Sequence, residues 1–156
     1  MGVAVRFVPP VVWMVIISGL STDSFSADQT SRFILPFLHW LLPSATPETL
    51  ALIHGGIRKA AHLTEYGILA LLWYRALRRV GAGWQIRAGL IALTIAAAFG
   101  GLDEFHQAWV PSRTASIVDV GWDILGAALA LVLCSVFLRV RKVTLEGNQN
   151  QVQEGR

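Results

Sequence analysis

The stretch GGLDEFHQAWVPSRTASIVDVGWDILGAALALVLCSVFLRV, residues 100–140, decides how the rest of the chain is read. From Ile124 to Phe137 it is a nearly uninterrupted apolar run, while Asp103, Glu104, His106, Gln107, Arg113, Asp119 and Asp123 crowd the segment just before it. About 20 mostly apolar residues suffice for a membrane-spanning helix. The stretch therefore reads as one span that ends in acids, a short loop (PSRTAS), and a second span that opens on acids. Working upstream, Leu90–Phe99, Ile68–Trp73 and Val5–Leu20 supply further apolar runs. Four spans follow, at about 5–20, 59–77, 87–107 and 116–139.

Composition agrees. Of 156 residues, 54% are hydrophobic and 15% charged, whereas a soluble domain carries about 25% charged residues. Mean hydropathy is +0.53. This excludes a disordered chain and speaks against a water-soluble one. The single cysteine, Cys134, excludes an internal disulfide and a Cys-based metal cluster; it reads as a packing residue. A net charge of +3 is loop charge on a membrane protein and gives no reason to expect nucleic acid.

Arg6 lies at the edge of the first apolar run, and Pro9 and Pro10 fit its first turn. A signal peptide shares that basic start and apolar stretch, but no small-x-small cleavage site stands out, so an uncleaved span is expected. Between Thr22 and Ile57 lies the only long connection. In it FILPFLHWLLP (33–43) is too short to span and is broken by Pro36; Phe33, Phe37 and Trp40 suit a helix lying in the headgroup layer, with His39 as an interfacial aromatic. Thr46-Pro47-Glu48 caps a further helix that runs into the second span through a bend at His54-Gly55-Gly56. Residues 144–156 form a polar, disordered tail behind a transmembrane domain of residues 1–143.

Basic residues set the orientation. With four spans, one side holds nine (Arg6, Arg75, Arg78, Arg79, Arg87, Arg139, Arg141, Lys142, Arg156) and the other four (Arg32, Arg58, Lys59, Arg113). The positive-inside rule then makes both termini cytoplasmic, with the polar clusters extracytoplasmic. In RKAAHLTEY (58–66), Arg58, His62, Glu65 and Tyr66 share a helix face bordered by Lys59; Asp103, His106 and Gln107 share another beside Glu104; Asp119 and Asp123 lie one turn apart. Small residues (Ala96, Gly100, Gly101, Gly121, Gly126, Ala127, Ala130) allow the helices to approach closely. Intramembrane charges are costly and face the bundle interior in pairs. They either form a site or simply lock the bundle, with Asp119, Asp123 or Glu65 paired to Arg113, Lys59 or Arg58.

The order RKAAHLTEYGILALL, then GGLDEFHQAWVPSRTASIVDVGWDILGAALAL, resembles the VanZ-like family of small bacterial membrane proteins. Lys59, His62, Asp103, Glu104, Gln107, Pro111, Arg113, Asp119 and Gly126 carry the resemblance, which covers about Trp13 to Leu138. It implies the inner membrane of a bacterium, a cell-envelope setting and, from the namesake, a link to resistance to the glycopeptide teicoplanin; no established reaction comes with it. Members often carry an amide where this chain has Asp123.

The expectation is thus an all-α, integral membrane four-helix bundle with an additional interfacial amphipathic helix. One reading is an enzyme acting on a lipid-linked or anionic envelope substrate, with His62, Glu104, Asp103 and Asp119 dividing acid and base roles. Lys59, Gln107, Arg113, Glu65 and Tyr66 would bind the substrate. A variant adds a divalent cation (Mg, Mn or Ca) on Asp103, His106, Asp119 and Asp123. The alternative is a binding or occluding protein without turnover; a proton-coupled carrier ranks behind both. Membrane lipid and a lipid-linked precursor are the expected partners, and a homo-oligomer is compatible.

Overall fold

The computed structural model describes residues 3–22, 27–79, 83–109 and 116–154, with residues 3, 27–28 and 146–154 as backbone only. A short 3-10 helix, Val3–Phe7, leads into α1 (Val8–Leu20); α2 (Ala27–Leu41), α3 (Pro47–Leu77), α4 (Ile86–Gln107) and α5 (Ile117–Glu154) follow. No strand occurs among the described residues.

Local chemistry places the helix ends. Pro9 and Pro10 occupy the first turn of α1, where a missing N–H leaves no intrahelical bond unmade. Thr46 caps α3, its hydroxyl accepting from the Thr49 N–H at 3.3 Å, with Pro47 at the first helical position. The helix continues unbroken through His54-Gly55-Gly56, so the glycines do not divide it. At its other end the Arg6 side chain donates to the carbonyls of Arg75 and Arg78, groups that a helix C-terminus leaves without intrahelical partners. Tyr74 stacks on Trp84 with ring centroids 4.6 Å apart, and its hydroxyl accepts from the Gln85 N–H. The N-terminal segment and the α3–α4 connection thus meet at one end of the bundle.

Two expectations about boundaries change. α2 starts upstream of Phe33 and contains Pro36 instead of being broken by it. The polar residues Gln29–Arg32 nucleate the helix before the proline, and one lost bond does not end a helix already formed. α5 likewise runs as one helix to Glu154, into the tail read as disordered; extending an existing helix needs no new nucleus.

Core packing relies on small side chains. Ala88, Ala92 and Ala96 of α4 and Ala127 of α5 are buried against Tyr66, Leu69, Ala70 and Tyr74 of α3, with Ile17 of α1 closing one side. Cys134 packs at the edge of this core. α3 and α5 touch at two glycines: a Cβ on Gly67 would lie 3.3 Å from the Gly126 carbonyl oxygen, and one on Gly126 would meet the Leu63 backbone. Gly101 and Gly121, also read as close-approach positions, have nothing within 4 Å of where a Cβ would stand.

Two helices, Ile86–Gln107 and Ile117–Leu145, are long and apolar enough to cross a membrane. Only 33% and 22% of their most apolar windows are buried, so most of each surface faces outward, unlike a core helix of a soluble protein. The count expected from sequence was four. By length and composition α1 falls short, being apolar only over Ala4–Leu20. α3 is long enough, but His62, Glu65, Tyr66 and Arg75 interrupt its apolar half.

Candidate functional site

The polar residues gather at the end of the bundle opposite Arg6. Two shallow clefts open there. The first, about 190 Å³, lies between the end of α1, α2, α3 and the end of α4, with Leu20, Ser21, Thr30, Ile34, Ile57, Arg58, Ala61, His62, Glu65 and Gln107 on its walls. The second, about 140 Å³, lies between α3 and α5, with Gly55, Arg58, Lys59, His62 and Asp119. His62 and Arg58 belong to both.

His62 is fixed from behind. Its Nδ1 lies 2.9 Å from Oδ1 of Asp123. The Asp123 side chain is 1% exposed and that of His62 16%, so the carboxylate is sealed in the bundle and the imidazole bridges it to the clefts. A carboxylate accepting from Nδ1–H selects the tautomer whose Nε2 is a free acceptor. Gly100 leaves the pair its room: a Cβ there would stand 3.1 Å from Oδ2 of Asp123 and 3.2 Å from the Tyr66 ring, so these groups would have to give by a few tenths of an ångström.

Asp103 and Glu104 are occupied otherwise. Asp103, 7% exposed, accepts from the Ser21 hydroxyl at 2.5 Å and from the Gln107 amide at 2.9 Å. The first ties the end of α1 to α4, and the second lies within α4. Glu104, 6% exposed, accepts from the Ser116 backbone N–H at 2.8 Å, satisfying a group at the start of α5 that no helical carbonyl can reach. Neither acid lines a cleft. Because the Ser21 bond is buried and made to a carboxylate, Ser21→Ala is expected to cost about 1.5 kcal/mol. It should lower the melting temperature of the detergent-solubilised protein, and an unchanged melting curve would show that the Ser21–Asp103 bond does not hold α1 in place.

The other candidates divide. Lys59 is exposed beside the second cleft, with Nζ 5.4 Å from the Trp122 ring centroid. Glu65 lines the first cleft, and its backbone carbonyl accepts from the Trp13 indole N–H at 2.9 Å. Tyr66, expected to bind substrate, is instead a core residue 1% exposed. Its hydroxyl has no hydrogen-bond partner among the described residues. Arg113 falls within residues 110–115, outside the described residues. His54, not singled out from sequence as a site residue, is buried on α3 with Nε2 3.4 Å from the Thr30 hydroxyl; burial and the nearby Arg58 charge hold its imidazole below the ordinary range. Arg58 itself, read as part of a helix face and as a candidate partner for the acids, becomes the cation shared by both clefts.

The proposed metal set does not assemble. Among the described residues no three His, Cys, Asp or Glu side chains converge to hold an ion. Asp103 and Gln107 point inward, whereas His106 is exposed. At about 100° per residue, His106 is turned well away from Gln107, so the three do not act as one face. Asp123 is bonded to His62, and Asp119 stands alone of the acids in the second cleft. The residues present do not fit a divalent cation.

Neither a curated protein nor a solved structure matches the chain. The family model VanZ/LLP1 matches residues 7–138, a range that takes in α1 to α4, the His62–Asp123 pair and most of the apolar part of α5. On that match, and in keeping with its two apolar helices, the chain belongs to the VanZ/LLP1 family.

Proposed function

We propose that this protein is a four-span protein of the bacterial inner membrane, N-in and C-in, whose extracytoplasmic polar end carries out acid–base chemistry on an anionic, lipid-linked envelope substrate. The observation that carries the reading is the His62–Asp123 pair: a sealed carboxylate orients an imidazole that reaches two open clefts. Held in this way, Nε2 can take a proton from a substrate hydroxyl or water and return it to a leaving group. Asp123 stabilises the imidazolium that forms in between, and Arg58 and Lys59 hold the substrate's negative charge. Of the four residues expected to divide acid and base roles, this assigns proton transfer to His62 and gives Glu104 the start of α5 to hold. Asp103 likewise becomes a tie between helices.

A binding role without turnover is favoured by a separate observation. Asp103 and Glu104 are both engaged in structural bonds, which takes both away from the role of a second catalytic acid beside His62. The same pocket would then occlude an envelope lipid or peptide stem, with teicoplanin sensitivity as its phenotype.

Mass spectrometry of envelope lipids and precursors separates the two. The comparison is between a strain deleted for this protein and the same strain carrying wild type, His62→Gln or Glu104→Gln. We expect a species that accumulates in the deletion, is cleared by wild type and by Glu104→Gln, and persists with His62→Gln, whose turnover should fall about 100-fold or more. Clearance by His62→Gln at the wild-type rate would end the acid–base reading. Identical profiles, with altered teicoplanin sensitivity, would make the protein a binder.

A further inference from the structure

The two clefts that meet at His62 differ in character. Leu20, Ile34 and Ile57 make the first largely apolar. The second is polar, with Arg58 and Lys59 on one side and Asp119 on the other. His62 pairs with Asp123, and among the described residues no carboxylate lies within pairing distance of Arg58 or Lys59. A half-buried guanidinium without a counter-charge is unfavourable, and an anion that meets it relieves that cost.

Resting on the reading above, we infer that the clefts are two halves of one site for a single-chain lipid phosphate. The hydrocarbon chain lies in the first cleft, the phosphate on Arg58 beside His62, and a head group bearing an ammonium or hydroxyl faces Asp119 in the second. Size supports the division. At about 190 Å³ and 140 Å³, each cleft is smaller than the roughly 300 Å³ at which whole small-molecule pockets begin. The first therefore takes one chain segment, with no room for two, and the second takes a head group.

The lipid comes from the membrane, because the first cleft opens beside α2. That helix contributes Thr30 and Ile34 to the wall, while Phe33 and Trp40 on its outer side are 78% and 75% exposed. Aromatic side chains at that density settle at headgroup depth, which brings the mouth of the cleft to the level of lipid phosphates. A free phosphate would have no use for the apolar wall.

The test is displacement of a fluorescent lysophosphatidylethanolamine from the full chain in nanodiscs. Unlabelled lysophosphatidylethanolamine should displace it. Monoacylglycerol (no phosphate), glycerophosphoethanolamine (no chain) and inorganic phosphate should each be at least about tenfold weaker. Arg58→Gln should weaken the lipid about tenfold, Arg58→Lys less, and Arg87→Gln at the far end not at all. Asp119→Asn should erase any preference over lysophosphatidic acid, which lacks the amine. Equal displacement by inorganic phosphate or glycerophosphoethanolamine would reduce the site to a free-anion site, and equal displacement by monoacylglycerol would reduce it to an apolar groove; either overturns the inference. The competitor series uses wild type, so it decides even where Arg58→Gln fails to fold. Tight lipid binding with no probe consumed leaves this inference standing and removes the acid–base reading. Turnover in cells that depends on His62, without displacement by the lysolipid, does the reverse.

Discussion

Gly126→Ala is expected to unfold the site end of the bundle. A Cβ at Gly126 would stand 2.6 Å from Leu63 Cα and 2.8 Å from its carbonyl carbon, and closer still to its oxygen. These are backbone atoms in the middle of α3, locked in the helical ladder, so no side-chain rotation relieves the contact. α3 and α5 must separate. Leu63 is the neighbour of His62, and Asp123 lies one turn before Gly126, so the same separation breaks the 2.9 Å bond between them. The cost should be about 3 kcal/mol or more, at the upper end of overpacking effects, and function should be lost with it. Gly121→Ala is the matched comparison: nothing lies within 4 Å of its Cβ position, and the helix propensity of alanine favours it by up to about 1 kcal/mol. Melting of the two variants in detergent should therefore shift in opposite directions. Equal shifts would show that the helices do not cross at Gly126.

The second large effect concerns the buried charge. His62→Ala leaves the Asp123 carboxylate sealed in the bundle without its partner. Removing one member of a buried pair costs about 3 kcal/mol or more. Adding Asp123→Asn to His62→Ala removes the charge while keeping the shape, and should return at least half of that loss. Function should stay absent in the double variant, because the imidazole is gone. The measurement is a cycle of melting temperatures for wild type, the two single variants and the double, run beside the lipid profile. If the double variant is no more stable than His62→Ala, Asp123 holds no unpaired charge when His62 is missing. If it regains function, His62 serves only to neutralise Asp123.

The sequence by itself determined the helical class, the apolar runs of α4 and α5, the Thr46–Pro47 start of α3 and the gathering of polar groups at one end. These are local or periodic properties: apolar length, a cap, residues three or four apart on a helix face. The family was legible for the same reason, since Lys59, His62, Asp103, Glu104, Gln107 and Asp119 keep a fixed order and spacing along the chain. Which acid does what was decided only by the tertiary structure. Asp103, Glu104 and Asp123 are alike in sequence, and each takes its character from a partner elsewhere in the bundle: Ser21 at the end of α1, the Ser116 N–H at the head of α5, His62 from α3. Partners 12 to 82 residues away leave no periodic trace. The fate of the glycines was equally hidden, because Gly121 and Gly126 look the same in the chain and only the crossing of α3 over α5 puts a backbone against one of them. Arg58 became a shared cation for the same cause: a helix face names the residues that point together, and packing against α1, α2 and α5 determines which of them are left lining open space.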